Sequence, residues 1–326
     1  MVLPAFNASR TISRAIQSIL GQSFRDIELI VVDDGSTDDT ARVIKQIGDR
    51  RLQLIESPHQ GVTAAANAAT RVATAPYIAR MDADDLAYPR RLEKQLHHLI
   101  EGQLDVVGCQ VRIVDERDQS AATMHRYQHW INEETIEPEP IRALRFVEFP
   151  LVNPTILAKR NYFELEFRHG EFPEDYDLML RAAEQGLRFG KVAEVLLDWI
   201  DGPDRLTRSD SRYSSDAFAR CRRMHLLDGP LRQVKSVDLW GVGQAGKPWL
   251  RWLRDRGITV RHGYDVSHRK VNATIHGVLI RHPSQLVPSD GTPLIIAVGA
   301  EHARQQILPR IRSRGYVSGR DAWFVA

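Results

Sequence analysis

The feature that most constrains this chain is a run of acidic residues that closes a short apolar segment. Residues 77–81 are typical of a strand, and Asp82, Asp84 and Asp85 follow it directly, with Arg80 as the neighbouring cation. Carboxylates packed this closely repel one another, so a fold keeps them where a cation offsets the cost. A hard divalent ion such as Mg²⁺ or Mn²⁺ prefers such oxygen ligands. The alternative interpretation is an acidic N-terminus of the helix that follows.

A second acidic cluster lies upstream, again at the end of an apolar segment. Residues 28–32 are mostly apolar and β-branched, which is typical of a strand buried on both faces. Asp33 and Asp34 follow, and Gly35 supplies a tight turn into the next helix. An ordinary strand–turn–helix corner explains the glycine but not the paired carboxylates. Because ligands bind at the carboxyl ends of strands in open parallel sheets, both clusters are expected to share one site.

Five motifs occur in order along the first two thirds of the chain, at residues 4–7, 18–23, 28–37, 61–67 and 82–85. Together they resemble the nucleotide-sugar half of family 2 glycosyltransferases, which have the GT-A fold, and the match covers about residues 1 to 215. The resemblance implies an α/β domain with a mostly parallel sheet. It also implies transfer of a sugar from a nucleoside diphosphate donor, with inversion at the anomeric carbon.

The resemblance further implies roles for single residues. Asp33 is expected to contact the nucleoside, while Asp82 and Asp84 face the ribose, the diphosphate and a Mn²⁺ or Mg²⁺ cofactor. The metal ligands are thus Asp84 and Asp82. The full set of donor-binding candidates is Pro4, Phe6, Asn7, Asp33, Asp34, Asn67, Arg80, Asp82, Arg205 and Arg208. The chain departs from many relatives at Ala66, where they have arginine, and at Asn153, where they have histidine.

A third acidic motif opens a predicted helix that begins at Glu174 and Asp175 and ends at Gly186. Acidic residues favour the first turn of a helix for electrostatic reasons alone. In the family that this chain resembles, however, the acidic pair at this point carries the catalytic base. The resemblance therefore makes Asp175 the first candidate and Glu174 the second. A base that takes the proton of the acceptor hydroxyl accelerates such reactions by roughly 10²- to 10⁴-fold.

A polar, turn-rich segment over residues 199–209 carries Arg205 and Arg208, with Arg212 and Tyr213 after it. Arginine forks match phosphate oxygens in geometry as well as in charge. The segment lies where members of the resembled family have a mobile loop over the donor diphosphate. A solvated basic loop leading into a helix is the alternative interpretation.

Composition favours a cytoplasmic enzyme of two domains. A chain of 326 residues exceeds one typical core, and a net charge of +2 favours neither nucleic acid nor an anionic membrane as partner. Cys109 and Cys221 form no disulfide framework, and no apolar run is long enough to cross a bilayer. The pattern of the first residues predicts no signal peptide. Only three residues precede Pro4, about half a strand, so we expect the true start to lie upstream of Met1.

The last part of the chain reads as its own Rossmann-like α/β domain, which gives predicted domains at residues 1–228 and 229–326. A strand leads into Gly241, Gly243 and Gly246, and a second strand closes with Asp265 about twenty residues on, which is the dinucleotide-binding pattern. A phosphate-binding P-loop is excluded because Pro248 stands where that motif needs serine or threonine. The glycines would be needed even without a ligand. Binding of a nucleotide or nucleotide sugar and a structural role both stay open.

Three classes of function compete. A metal-dependent transferase in bacterial cell-surface polysaccharide or glycoconjugate synthesis explains all three acidic motifs. Its expected partners are a donor, with a UDP-sugar favoured, and a saccharide or lipid-linked acceptor, through which peripheral membrane association would arise. A nucleotide-binding oxidoreductase would leave residues 82–85 unexplained. The intact acidic pairs disfavour a non-catalytic nucleotide-sugar sensor. The acceptor itself depends on loops rather than on motifs.

Overall fold

The computed structural model describes residues 1–115, 124–133, 138–202, 205–300 and 302–326. The chain forms two compact units. The N-terminal unit comprises Met1–Ile141 and Pro150–Cys221, and the C-terminal unit comprises Arg142–Phe149 and Arg222–Ala326. Helices α6 (Pro138–Leu144) and α10 (Ser215–Asp228) contain residues of both units. The domain boundary predicted after Asp228 stays a prediction.

A three-stranded parallel sheet in the order β1–β2–β3 begins the N-terminal unit. Its β2 is buried along its whole length, as its β-branched sequence predicts. Helix α1 buries Ile12, Ala15, Ile16 and Ile19, a spacing that places them on one face against the core. The elements are β1 (Val2–Ala5), α1 (Ile12–Leu20), β2 (Leu29–Asp33), α2 (Thr40–Lys45), β3 (Leu52–Glu56) and α3 (Val62–Val72).

A five-stranded mixed sheet completes this unit, in the order β4–β7–β6–β8–β5. The long central strands β6 and β8 run parallel, and the other three pairings are antiparallel. The strands are β4 (Tyr77–Ala79), β5 (Leu86–Ala87), β6 (Val106–Val114), β7 (Leu157–Lys159) and β8 (Phe189–Ile200). The further helices are α4 (Arg91–Glu101), α5 (His125–Glu133), α7 (Arg160–Phe163), α8 (Glu174–Glu184) and α9 (Leu206–Ser209).

The acidic run at residues 82–85 is not the start of a helix. Strand β5 follows it, and α4 begins only at Arg91. The alternative interpretation of this run as the first turn of a helix is therefore wrong. Because no helix terminus stabilises these carboxylates, their clustering needs another cause.

The C-terminal unit is built on a six-stranded sheet in the order β11–β12–β10–β9–β13–β14. All its pairings are parallel except the β11–β12 hairpin. An order that runs outwards on both sides from the first strand is typical of doubly wound folds. The elements are β9 (Ser236–Trp240), α11 (Gly246–Asp255), β10 (Thr259–Tyr264), β11 (Thr274–Ile275), β12 (Val278–Arg281), β13 (Leu294–Ile296), α12 (Ala303–Ser313) and β14 (Ala322–Phe324).

A short upstream segment, Arg142–Phe149, is part of the core of the C-terminal unit. Phe146 is fully buried and meets Trp323 edge to face, with ring centroids 5.5 Å apart. The guanidinium of Arg145 lies 4.8 Å from the centroid of Phe146 and 4.5 Å from that of Trp323. Arg222 donates a hydrogen bond to the carbonyl of Val147. Within the described residues, no helix is both long and apolar enough to span a bilayer.

We predict that Phe146→Ala destabilises the C-terminal unit by about 3–5 kcal/mol, because it removes a buried ring and leaves a cavity beside Trp323. Urea unfolding followed by tryptophan fluorescence measures the change. Ile100→Ala is the control, since Ile100 is 51% exposed and lies in the N-terminal unit. Equal unfolding midpoints for Phe146→Ala and the unaltered protein would show that this segment is not part of that core.

Candidate active site

The ends of two chain segments bring acidic residues to the same edge of the N-terminal unit. Strand β1 pairs in parallel with β2 on one side, with Ala5 opposite Asp33. On its other side β1 forms a parallel bridge in which Val2 lies opposite Arg80. Since all three segments run in one direction, Asp33 and the residues after Arg80 emerge at one edge of the sheet. The strand pairing thus directs the two acidic clusters towards the same edge.

Asp33 and Asp34 have different surroundings at this edge. Asp33 accepts hydrogen bonds from the hydroxyl and the backbone amide of Ser36. The Asp34 carboxylate accepts from the backbone amides of Gln60 at 2.9 Å and Gly61 at 2.8 Å. It also lies 2.9 Å from Nδ1 of His59. Asp34 therefore holds the turn that leads into α3, where Gly61 has a φ of 90°.

An exposed aromatic pair lies beside these two aspartates. Phe6 is 45% exposed and stacks on His59, with ring centroids 4.2 Å apart and an interplanar angle of 27°. Asn7 accepts a hydrogen bond from the backbone amide of Thr37 at 2.8 Å, which joins the loops after β1 and β2. Pro4 lies within β1 and is buried. The stacked rings offer a flat surface to a planar group.

The side-chain amide of Asn67 is hydrogen-bonded to the protein backbone. Its side chain donates to the carbonyl of Phe167 at 2.8 Å and accepts from the amide of the same residue at 2.9 Å. It is also buried. Asn67 therefore joins α3 to the segment before α8. Its role in donor binding stays a prediction.

The acidic run at residues 82–85 depends on one buried arginine. Nη1 of Arg80, which is 2% exposed, lies 2.9 Å from Oδ1 of Asp82. Burial and the charge of Asp82 raise the pKa of Asp84 to about 6, against the opposing charge of Arg205. Burial and the charges of Asp84 and Asp82 raise the pKa of Asp85 well above its usual range. The positive charge of Arg80 and Arg205 therefore does not balance the three carboxyl groups of Asp82, Asp84 and Asp85.

Asp85 ties this run to the end of β8. Its Oδ1 accepts a hydrogen bond from the backbone amide of Ile200 at 2.9 Å. Its Oδ2 is buried and has no hydrogen-bond partner among the described residues. The raised pKa of Asp85 favours its protonated form, and Asp82 and Asp84 are the two acids of the run that are partly exposed. Two partly exposed carboxylates short of positive charge fit a hard divalent cation, which prefers oxygen ligands.

The first turn of α8 provides a further acid within electrostatic range. Burial and then the charge of Glu174 raise the pKa of Asp175 to about 7. The charges of Asp82, which raises this pKa, and Arg80, which lowers it, also act on Asp175. A carboxyl group that titrates near neutral pH is suited to accept a proton.

The neighbouring acids of this turn are held by side-chain partners. Glu174 is buried, and both its oxygens accept from the hydroxyl of Tyr213 at 2.8 Å. Asp177 is fully buried between Arg168 and Arg181. Asp175 itself accepts a hydrogen bond from the backbone amide of Tyr176 at 2.7 Å. Asp175 is thus the acid of this turn that is least engaged by other side chains.

The two arginines predicted to bind the donor contact the same aspartate. Asp201 directly follows β8, and its Oδ1 lies 3.2 Å from Nη1 of Arg205. Nη2 of Arg208 lies 2.8 Å from both oxygens of the same carboxylate. The Arg205 guanidinium also lies 4.1 Å above the centroid of the Trp199 ring. Because the charge of Arg205 acts on Asp84 and Asp85, this cluster lies close to the acidic run.

Comparison with known proteins agrees with this geometry. The family model described as Glycosyl transferase family 2 matches residues 1–165. EpsE of Bacillus subtilis (strain 168) is 32% identical over 240 residues, which cover 69% of this chain and 82% of EpsE. The chain belongs to glycosyl transferase family 2.

Two further comparisons extend this assignment. The Escherichia coli enzyme WfgD, named UDP-Glc:alpha-D-GlcNAc-diphosphoundecaprenol beta-1,3-glucosyltransferase, is 30% identical over 244 residues, or 72% of this chain and 88% of WfgD. The crystal structure of S. aureus TarS 1-349 in complex with UDP-GlcNAc superposes with a TM-score of 0.55 at 18% identity. That match covers 71% of this chain and 67% of the TarS 1-349 chain and shows the GT-A fold.

The glycine turn of this glycosyltransferase's C-terminal unit is shaped by close packing. A Cβ atom on Gly246 would lie 1.7 Å from the carbonyl oxygen of Gly241, which itself has a φ of 97°. A Cβ on Gly243 would meet only Nζ of Lys270, at 3.2 Å. Asp265 is bonded to Lys270 at 2.9 Å and to the amide of Val242 at 3.1 Å. Ligand binding by Gly241, Gly243, Gly246 and Asp265 stays a prediction.

Sequence reasoning missed His59, Asp201 and the partner of Glu174. His59 lies in a polar loop before Gly61, and its position between a strand and a glycine is the signal that could have singled it out. Asp201 could have been noticed as an acid within a basic segment. The contact between Tyr213 and Glu174 joins residues 39 positions apart and has no local sequence signal.

We predict that Asp175→Asn makes the protein more stable above neutral pH. The folded-state pKa of about 7 exceeds the ordinary value of 3.8, so the folded protein holds this proton more tightly than the unfolded chain. Deprotonation therefore lowers stability as the pH rises between these values. Urea unfolding in EDTA should show Asp175→Asn to be the more stable protein at about pH 8 and a smaller difference at about pH 4. A variant that is less stable at the higher pH would contradict the raised pKa.

Proposed function

We propose that this chain transfers a sugar, with inversion at the anomeric carbon, from a nucleoside diphosphate donor to a saccharide or lipid-linked acceptor. The observation that carries the proposal is electrostatic. Burial and then the charge of Glu174 account for most of the raised pKa of Asp175, and the charges of Asp82 and Arg80 also act on it, so these two residues lie near the first turn of α8. The acidic run, which we propose to hold the diphosphate through a cation, and Asp175, which we propose to take the proton, therefore belong to one site.

The donor is expected to lie across the edge formed by β1, β2 and the acidic run. The stacked Phe6 and His59 provide a platform for the base, and Asp33 is positioned to accept hydrogen bonds from the nucleoside. Asp82, held by Arg80, would face the ribose and diphosphate. Arg205 and Arg208 supply positive charge for the phosphates. A UDP-sugar is favoured, since WfgD is named for UDP-Glc and TarS was solved with UDP-GlcNAc.

Asp84 and Asp82 are the proposed ligands of Mn²⁺ or Mg²⁺. Burial and then the charge of Asp82 raise the pKa of Asp84, and the repulsion between the two carboxylates favours any cation that both can share. When bound, such an ion would offset the negative charge of the departing diphosphate. Arg80 fixes the orientation of Asp82 from the buried side of the site.

Asp175 is the proposed base. The acceptor hydroxyl oxygen forms a bond to the anomeric carbon while the bond from that carbon to the diphosphate oxygen breaks. The hydroxyl proton passes to the carboxylate of Asp175. A single displacement of this kind inverts the configuration at the anomeric carbon. The hydroxyl of Tyr213 donates to both oxygens of Glu174 and holds that side chain in place, while burial and then the charge of Glu174 raise the pKa of Asp175.

The biological setting follows from the relatives. WfgD is named for an acceptor carried on diphosphoundecaprenol, which is a lipid-linked saccharide. We propose the same class of acceptor here, with a role in cell-surface polysaccharide or glycoconjugate synthesis. Hydrolysis of UDP-, GDP- and TDP-sugars in the presence of Mn²⁺ is the first test. Turnover of none of these donors would contradict the proposal, whereas reduction of NAD would favour the oxidoreductase alternative.

We predict that Asp84→Ala abolishes Mn²⁺-dependent donor hydrolysis and leaves the fold intact, because Asp84 is partly exposed at the end of a strand. Donor hydrolysis and circular dichroism are measured together. Asp39→Ala is a matched control, since Asp39 is an exposed acid that pairs with Arg42. Activity of Asp84→Ala close to that of the unaltered enzyme would remove Asp84 from the ligand set.

We predict that Asp175→Asn lowers transferase turnover by roughly 10²-fold or more, since the amide cannot accept the proton. Donor affinity should stay nearly constant. In the unaltered enzyme, turnover should rise with pH through about 7, because the base acts in its deprotonated form. A loss of donor binding in Asp175→Asn would place the residue among the donor ligands instead. Unchanged turnover, with a collapse in Glu174→Gln, would move the role to Glu174.

A further inference from the structure

Two arginines and one aspartate form a partly buried cluster at the end of β8. Asp201 and Arg205 have side-chain exposures of 8% and 12%, and Arg208 is half exposed. Within the described residues, Asp201 is the one carboxylate that lies within ion-pair distance of either arginine. Two positive charges against one negative leave this cluster, which we name the Asp201 cluster, with a net charge of +1. It can therefore accept a further anion.

The members of the Asp201 cluster are anchored to different degrees. The backbone amide of Asp201 donates to the carbonyl of Val114 at 2.7 Å, which continues the pairing of β6 with β8. The acid is thus fixed to the central sheet. Arg208 belongs to α9, a single turn with no buried residue. Few buried contacts make a segment easy to displace, so Arg208 can move more readily than the aspartate.

The hydrogen bonds within the cluster leave donors of Arg205 available. Among the residues that the structure describes, Arg205 contacts Asp201 through Nη1 alone, at 3.2 Å, while its guanidinium is stacked on Trp199. A guanidinium can donate five hydrogen bonds and matches a phosphate through two parallel ones. The charge of Arg205 also reaches Asp84. A diphosphate held near Asp84 would therefore meet this arginine.

From these observations we infer that Asp201 sets the affinity for the donor by holding Arg205 and Arg208 until the diphosphate replaces its carboxylate. The inference rests on the proposed donor site. Asp201 competes with the phosphates for the same guanidinium groups, so it weakens donor binding. The same competition would favour product release, because the carboxylate of Asp201 pairs again with the two arginines as the nucleoside diphosphate leaves.

Calorimetric titration with UDP and with GDP, each with Mn²⁺, tests the inference on the full chain. Asp201→Asn keeps the size of the side chain and removes its charge, so UDP should bind about tenfold more tightly than to the unaltered protein. Asp210→Asn is the matched control, because Asp210 pairs with Arg212 in the same part of the chain. It removes the same charge without contacting Arg205 or Arg208 and should leave the UDP affinity unchanged.

Two further variants test whether an arginine released from Asp201 accounts for the tighter binding. Arg208→Ala should weaken UDP binding, and the double variant Asp201→Asn/Arg208→Ala should lose most of the gain seen in Asp201→Asn. Weaker or unchanged binding of UDP by Asp201→Asn would overturn the inference. An equal gain in Asp210→Asn would also overturn it, since net charge alone would then explain the effect.

The titration of the unaltered protein judges the proposed function separately. If it binds UDP or GDP and Asp201→Asn does not bind more tightly, the donor site stands and the inference fails. If the unaltered protein binds neither nucleotide, the inference is wrong, and failure to bind TDP as well would show the donor site to be wrong.

Discussion

The site depends on the repulsion among carboxylates gathered around one buried guanidinium. Arg80 contacts Asp82 directly, and its charge also acts on Asp84 and Asp175. Burial and the charges of neighbouring acids raise the pKa of Asp84 to about 6 and that of Asp175 to about 7, and they raise the pKa of Asp85 well above its usual range. Such an arrangement costs stability and is typical of functional sites. The repulsion that lowers stability is also what we propose to favour binding of a cation, since the cation would relieve it.

A second buried arginine keeps the backbone of this site in place. Nη2 of Arg91 donates to the carbonyls of Arg80 at 2.9 Å and Pro154 at 2.6 Å, and its Nε donates to Gln95 at 2.9 Å. Gln95 in turn donates to the carbonyl of Thr155 at 2.7 Å. Helix α4 thus holds the strand end that carries Asp82 and the segment before β7. A rigid support of this kind keeps functional side chains in position.

Sequence reasoning found what depends on local pattern. The strand before Asp33, the helix that begins at Glu174 and the glycine turn at Gly241 follow from periodicity and turn chemistry, and the structure has all three. It could not find what depends on distant contacts. Residues 142–149 carry no signal that they pack with Trp323, and nothing near Asn67 indicates its bonds to Phe167. The sequence predicts that Arg205 and Arg208 bind the phosphates of the donor. In the structure both arginines already pair with a protein carboxylate, that of Asp201.

The central claim is that the crowded carboxylates form one site for a cation and a nucleoside diphosphate. The most direct test is an anomalous difference map from a crystal of the protein grown with Mn²⁺ and UDP. We predict one strong manganese peak beside the carboxylate of Asp84, in contact with the diphosphate, with Asp175 across the same site. A manganese peak elsewhere on the chain, with UDP bound and Asp84 outside coordination distance, would contradict the account.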